Sequence, residues 1–241
     1  MQRSEFPENR IDLWIIKTSS TRLPLARLSS FLDETETVRL NRYANQQIAR
    51  NFICSRGCLR LLLASYCSIA PSQARLQNLE HGKPSAPDFP GLCFNVSHSG
   101  ELLLIGFSDR TIGVDVEKTR ENVDFTGIIK RFFSESEAES WMQFRQASPI
   151  DAFFRGWTRK EAWLKATGEG VAGLGKCEVS FNTDNSTALM TMNGDRSEAA
   201  RWFSRLILPQ SGYVAAVVAL KPEVELKIMH FEEHWSQFLS E

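Results

Sequence analysis

Hydrophobic and polar positions divide the chain into stretches of period two and stretches of helical period. A short apolar run over residues 11–17, closing in Thr18-Ser19-Ser20, predicts a first strand. Residues 33–43 are polar, charged and helical in pattern. Over residues 46–67, Ile48, Phe52, Leu59, Leu62 and Leu63 recur at helical spacing, with Pro71 as the stop. The Pro/Gly-dense stretch 81–91 predicts a surface loop. Strands are expected at 92–96 and 102–107, followed by strict alternation in Ile112-Gly113-Val114-Asp115-Val116-Glu117-Lys118. Ser134 with Glu137 forms a capping box that opens a helix running to about Arg145. Asp151 is read as the cap of a second helix over 152–166, ended by Thr167-Gly168. Residues 177–220 read as strands and turns, and 221–241 as a loosely attached tail. A boundary near residue 110 divides the chain into an N-terminal α/β half, 1–109, and a C-terminal α/β half, 110–241.

Bulk composition narrows the function classes. The 241 residues are 42% hydrophobic and 24% charged, which is ordinary for a globular protein with a substantial core. A net charge of −1 gives no whole-molecule field toward nucleic acid or an anionic membrane. No run approaches the ~20 apolar residues of a membrane span, and residues 1–10 lack the apolar core of a signal peptide. Five cysteines, at 54, 58, 67, 93 and 177, show no paired or zinc-type spacing. They read as small hydrophobes in a reducing cytoplasm.

Three clusters carry candidate chemistry. On a strand, residues i and i+2 share a face, so Asp115 and Glu117 stand side by side. Such a pair either sits on a wet edge or is bridged by a proton or a cation such as magnesium. In the helix over 152–166, Glu161 and Lys165 are four apart and face the same way among Phe153, Phe154, Trp157 and Leu164. That is either a solvated ion pair or charge at the edge of a packed interface. In FNVSHSG at 94–100, Ser97, His98, Ser99 and turn amides suit a phosphate, although His98 taken alone reads as a turn cap. Neither a nucleophile signature nor a P-loop or GxGxxG framework is present.

Taken in order, GKP at 82–84, FNVSHSG at 94–100, IGVDVEK at 112–118, RFFS at 131–134 and W-x-x-KEA-x-x-K at 157–165 resemble the Sfp-type 4′-phosphopantetheinyl transferases. The likeness covers roughly residues 35–175. It implies an α/β (α+β) fold of two similar, pseudo-symmetric halves with coenzyme A in the cleft between them. It also implies magnesium ligation by Asp115, Glu117 and Glu161, with Asp115 counted among the coenzyme A contacts as well. Lys165 would lie by the pyrophosphate and the reacting hydroxyl, Ser97 and His98 at the 3′-phosphate of coenzyme A, and Lys83 in the Gly-Lys-Pro loop. Arg39 falls where the family places a basic residue for the nucleotide end, with Arg42, Arg50 and Arg56 as weaker candidates.

The reaction implied moves the phosphopantetheine arm of coenzyme A onto a serine of an acyl or peptidyl carrier protein. Such carriers serve fatty acid, polyketide and nonribosomal peptide synthesis, and the other product is adenosine 3′,5′-bisphosphate. Glu161 is favoured as general base over Glu137, whose capping role already explains it, so Glu137→Gln is expected to keep most activity. Phe153, Trp163 and Val171 are candidate carrier contacts, and the family likeness points to a monomer. The alternatives are a magnesium-dependent pyrophosphate hydrolase of coenzyme A-like nucleotides and a non-catalytic carrier-binding module.

Overall fold

Two β–α–β–β units with the same strand order make up the molecule in the computed structural model, which describes residues 6–78, 83–146, 148–182, 189–220 and 223–239. The first contains β1 (Arg10–Lys17), α1 (Leu25–Ser29), α2 (Glu34–Leu40), α3 (Gln46–Cys67), the short β2 (Gln77–Asn78) and β3 (Pro84–Ser85), then β4 (Cys93–Ser99) and β5 (Leu102–Ser108). The second contains β6 (Ile112–Lys118), α4 (Phe125–Phe132), α5 (Glu135–Phe144), α6 (Pro149–Thr167), β7 (Cys177–Val179), β8 (Leu189–Met192), α7 (Arg196–Ala199), β9 (Phe203–Ile207) and β10 (Tyr213–Ala219). The chain closes with β11 (Glu225–His230) and α8 (Phe231–His234). The sheets run β11-β1-β5-β4 and β6-β10-β9, so in each unit the third long strand lies antiparallel between the first and second.

Side-chain alternation stacks these sheets into four layers. Even positions of β1 and odd positions of β5 (Trp14, Ile16, Leu103, Ile105 and Phe107) pack against Cys58, Leu59 and Leu62 of α3. The opposite face, with Ile11, Leu13, Ile15 and Leu104, meets Val114, Val116, Ala215 and Val217 of the second sheet. Beyond it, Ala216 and Val218 cover Ala162 and Trp163 of α6. Strand β10 is buried on both faces, which explains why the run from Val214 to Ala219 shows no polar alternation. Among the described residues no helix is long and apolar enough to cross a membrane.

Local signals set most helix ends. The side chain of Asn45 accepts from Gln47 and Ile48 at the start of α3, and Ser134 and Glu137 close the expected capping box on α5. Helix α6 begins earlier than its pattern suggests. Its cap is Ser148, whose hydroxyl accepts from the Asp151 amide, with Pro149 at the first helical position, so Asp151 lies inside the helix rather than capping it. Gly168, at φ +77°, ends it.

The tail departs from expectation. Strand β11 pairs in parallel with β1, and Phe231 is fully buried against Trp14 and Phe238. Residues 225–239 therefore join the first sheet and its core, and the expected C-terminal half, 110–241, is corrected at its far end. The 109/110 boundary falls in the turn between β5 and β6. Parallel pairing across the whole chain has no local signature, so the sequence alone does not attach the segment. Replacing Phe231 with Ala should cost about 3–5 kcal/mol, read as a lowered urea midpoint. A loosely held tail would shift stability by less than about 0.5 kcal/mol.

Candidate active site

Strand β6 and helix α6 approach so closely that a Cβ at Gly113 would collide with the carbonyl oxygen of Ala162 and the amide of Ala166. That contact lays the charged edge of the helix over the odd-numbered face of the strand. Lys165 Nζ lies 2.6 Å from Asp115 Oδ1 and 2.8 Å from Ser97 Oγ, and the Ser97 hydroxyl donates to Asp115 Oδ1 at 2.9 Å. Asp115 is buried, and its second oxygen, Oδ2, has no hydrogen-bond partner among the described residues. One position pair further along, Ser99 Oγ donates to Glu117 Oε2 at 3.0 Å.

Three carboxylates are within electrostatic reach of one another. Burial, and after it the Asp115 charge, holds the Glu117 and Glu161 carboxyls above the usual carboxylate range. Lys165 offsets this only in part. Buried oxygens that repel one another, one of them unpartnered, suit a divalent cation with oxygen ligands. Among the described residues, however, no group of three His, Cys, Asp or Glu side chains is arranged to hold a metal ion. As the side chains stand, the ammonium of Lys165 supplies the positive charge on Asp115.

Glu161 and Lys165 open onto a cleft of about 280 Å³ whose other wall, Lys83 and Pro84, comes from the first unit. Lys83 Nζ donates to the carbonyls of Lys165 (2.7 Å) and Ala166 (3.4 Å), at the negative end of α6. Burial depresses its pKa. Gly82, the first residue of the Gly-Lys-Pro motif, lies outside the described residues. The structure thus brings together Lys83, Ser97, Asp115, Glu117, Glu161 and Lys165 from four segments.

Other expected residues stand elsewhere. Arg39 is exposed on α2, with its Nε on Tyr43 Oη at 2.8 Å and its guanidinium over the Phe52 ring, and no direct contact links it to Lys83 or Lys165. Arg50 is tied to the carbonyls of Thr18 and Ser20, and Arg56 pairs with Glu36. His98 is on the opposite side of β4 from Ser97 and exposed. Partial burial, and then the Lys165 charge, keeps its pKa below the ordinary value. Ser97 is buried, and its hydroxyl is taken up by Asp115, Lys165 and the amide of Val116 (3.3 Å). Phe153 and Trp163, at 2% and 3% exposure, are core residues, whereas Val171, at 67%, stands free at the cleft. The aromatic density of α6 therefore marks a packed core and not a docking edge.

Glu137 has a closed set of partners. It is buried, 2.9 Å from Lys160 Nζ, and accepts from the amides of Ser134 (2.8 Å) and Val179 (2.8 Å). Lys160 in turn donates to the carbonyls of Leu174 (2.8 Å) and Cys177 (2.7 Å) and lies over the Phe133 ring. Both oxygens of Glu137 are partnered, and it is not among the residues that line the cleft. Sequence reasoning missed Lys160, Gly113 and Asn95, and it named Ser99 for a phosphate without its bond to Glu117. A helical wheel would have set Lys160 about 100° from Glu161 and toward the core.

Comparison with known proteins agrees with the geometry. The pattern described as "4′-phosphopantetheinyl transferase superfamily" matches residues 111–218, and that described as "4′-phosphopantetheinyl transferase, N-terminal" matches residues 19–108. The 4′-phosphopantetheinyl transferase HetI of a Nostoc species is 33% identical over 227 residues, 92% of this chain and 93% of that protein. Sfp, a 4′-phosphopantetheinyl transferase of Bacillus subtilis, is 26% identical over 86% of this chain and 91% of its own length. A further 4′-phosphopantetheinyl transferase of Bacillus subtilis, ffp, is 30% identical over 82% of this chain and 86% of its own. With a relative alike in a third of its residues over nearly the whole of both chains, and with both units matched in order, this chain belongs to the 4′-phosphopantetheinyl transferase superfamily.

Proposed function

We propose that the cleft transfers the 4′-phosphopantetheine arm of coenzyme A to a serine of an acyl or peptidyl carrier protein, releasing adenosine 3′,5′-bisphosphate. The observation that carries this reading is the unpartnered, buried Oδ2 of Asp115 beside two further carboxylates, next to a cleft whose walls bear Lys83 and Lys165. Asp115, Glu117 and Glu161 are the residues that would hold magnesium. When bound, the ion supplies positive charge to the pyrophosphate of the substrate.

The chain's own groups do the remaining work. Lys165, on a flexible stem at the cleft, offers a point charge to the anionic substrate once Asp115 is otherwise neutralised. Glu161 is the carboxylate that lines the open cleft, so it is the group placed to accept the proton of an incoming serine hydroxyl, directly or through water. His98, being exposed, is proposed for the 3′-phosphate end of the nucleotide. Arg39 would act there only on leaving Tyr43 and Phe52. Val171 offers the carrier an apolar contact at the cleft rim. One chain supplies both walls, so a monomer suffices. The free cysteines fit a reducing cytoplasm.

Incubation with coenzyme A, magnesium and a panel of fatty acid, polyketide and peptide synthase carriers should add one phosphopantetheine to at least one carrier, read by mass spectrometry. Consumption of coenzyme A without carrier labelling would instead support pyrophosphate hydrolysis. Asp115→Ala should lower transfer roughly a hundredfold or more while the protein stays folded. Magnesium-dependent transfer retained in that variant would sink the assignment.

Glu137→Gln separates the two candidate bases. It removes the charge partner of the buried Lys160 ammonium and should cost about 3–5 kcal/mol of stability. At a temperature where the variant remains folded, kcat should stay within a few-fold of wild type. A collapse of kcat in the folded variant would return the base role to Glu137.

A further inference from the structure

Strands β4 and β6 are each the edge of their own sheet, and the two edges face one another. On its other side β6 pairs with β10 through odd-numbered positions: the Thr119 amide donates to the Gly212 carbonyl, and the Leu220 amide to that of Thr111. In an antiparallel ladder the amides of the intervening even positions then point away from β10, toward β4. Their acceptors are side chains. Asn95 Oδ1 accepts from Val114 at 2.9 Å, Ser97 Oγ from Val116 at 3.3 Å and Ser99 Oγ from Lys118 at 3.0 Å. Alternate side chains of one strand thus replace the main-chain carbonyls that a continuous sheet would supply.

Both serines also donate. Ser97 gives its proton to Asp115 Oδ1, and Ser99 to Glu117 Oε2. Each hydroxyl therefore grips the amide of residue n+1 and the carboxylate of residue n, and the same grip repeats two residues along both strands. A hydroxyl suits this place because it donates one bond and accepts two, whereas a carbonyl only accepts.

We propose that Asn95, Ser97 and Ser99 are positioning residues. All three latch the first unit to β6, and the two serines hold the carboxylates of Asp115 and Glu117 in the orientation that a bound divalent cation requires. This rests on the reading of that pair as cation ligands. Partners that orient ligands are commonly worth ten- to a hundredfold in metal affinity. Ser99 gives the cleanest test, because it is only half-buried and, among the described residues, its Oγ bonds join Glu117 and the Lys118 amide alone.

The test compares wild type, Ser99→Ala and Ser99→Thr by Mn²⁺ binding in electron paramagnetic resonance, by the KM for coenzyme A and by amide hydrogen exchange. Ser99→Ala should weaken Mn²⁺ roughly tenfold, leave the KM for coenzyme A within about twofold and speed exchange at Lys118. Ser99→Thr should restore both the affinity and the protection. In wild type, the Val114, Val116 and Lys118 amides should be protected like sheet amides, and exchange at coil rates there overturns the latch even if Ser99→Ala fails to fold. Faster exchange at Lys118 with unchanged Mn²⁺ affinity overturns the positioning role and leaves an edge cap. If wild type transfers nothing to any carrier, the transferase reading fails alone, since the metal and exchange measurements use no carrier.

Discussion

Helix α6 can deliver the site only because Gly113 has no side chain. The helix lies on the main chain of β6 at Ala162 and Ala166, one turn apart, and any Cβ on the strand would lift it away. Once those two residues face the strand, the rotation of the helix is settled. Glu161 and Lys165, also one turn apart, must project along the neighbouring stripe into the cleft, and Lys160 must point the other way. Lys160 is then pinned by Glu137 and two carbonyls. A rigid element fixed on both flanks holds charged groups more tightly than a loop would. The carboxylate of Glu161 and the ammonium of Lys165 owe their places to contacts made by their neighbours.

The contrast between two buried acids sorts structure from chemistry. Glu137 is enclosed with a lysine and two amides, and every oxygen is satisfied. Asp115 is equally enclosed, yet one oxygen lacks a partner, and its charge raises the cost of ionising Glu117 and Glu161. Native proteins rarely leave a buried acceptor unpaired, because the desolvation cost is not recovered. The unpaired oxygen is therefore the informative one. A glutamate's presence in a family motif does not distinguish the two cases, whereas hydrogen-bond satisfaction does.

Legibility in the sequence followed the range of the interactions. The i, i+2 pair on β6, the capping box on α5 and the glycine stop of α6 are local, and each was readable from a few adjacent residues. The parallel docking of β11 on β1 joins residues more than two hundred positions apart, and nothing within 225–230 says which edge it will take. Phe153 and Trp163 were misjudged for a related reason. Aromatic density gives burial but not which side of a helix faces solvent when three sides are packed. Ser97 has the chemistry to meet an anion, and in this structure the anion it meets is the Asp115 carboxylate of the same chain.

The repeated unit leaves each half with an edge strand beside the cleft, and an edge left uncovered would invite pairing with another chain. Merging β4 and β6 into one continuous ladder would have removed both edges, but it would also have drawn the halves about 4.8 Å apart along the seam. Side-chain bridging satisfies the β6 amides at a greater spacing. It places hydroxyl groups beside the carboxylates, where a carbonyl could only have repelled them. The same choice keeps room between the halves for Lys83 on one wall and Lys165 on the other. A short polar residue at every second position of β4 is thus required by the seam itself, before any ligand is considered, and the site occupies the space that this spacing leaves.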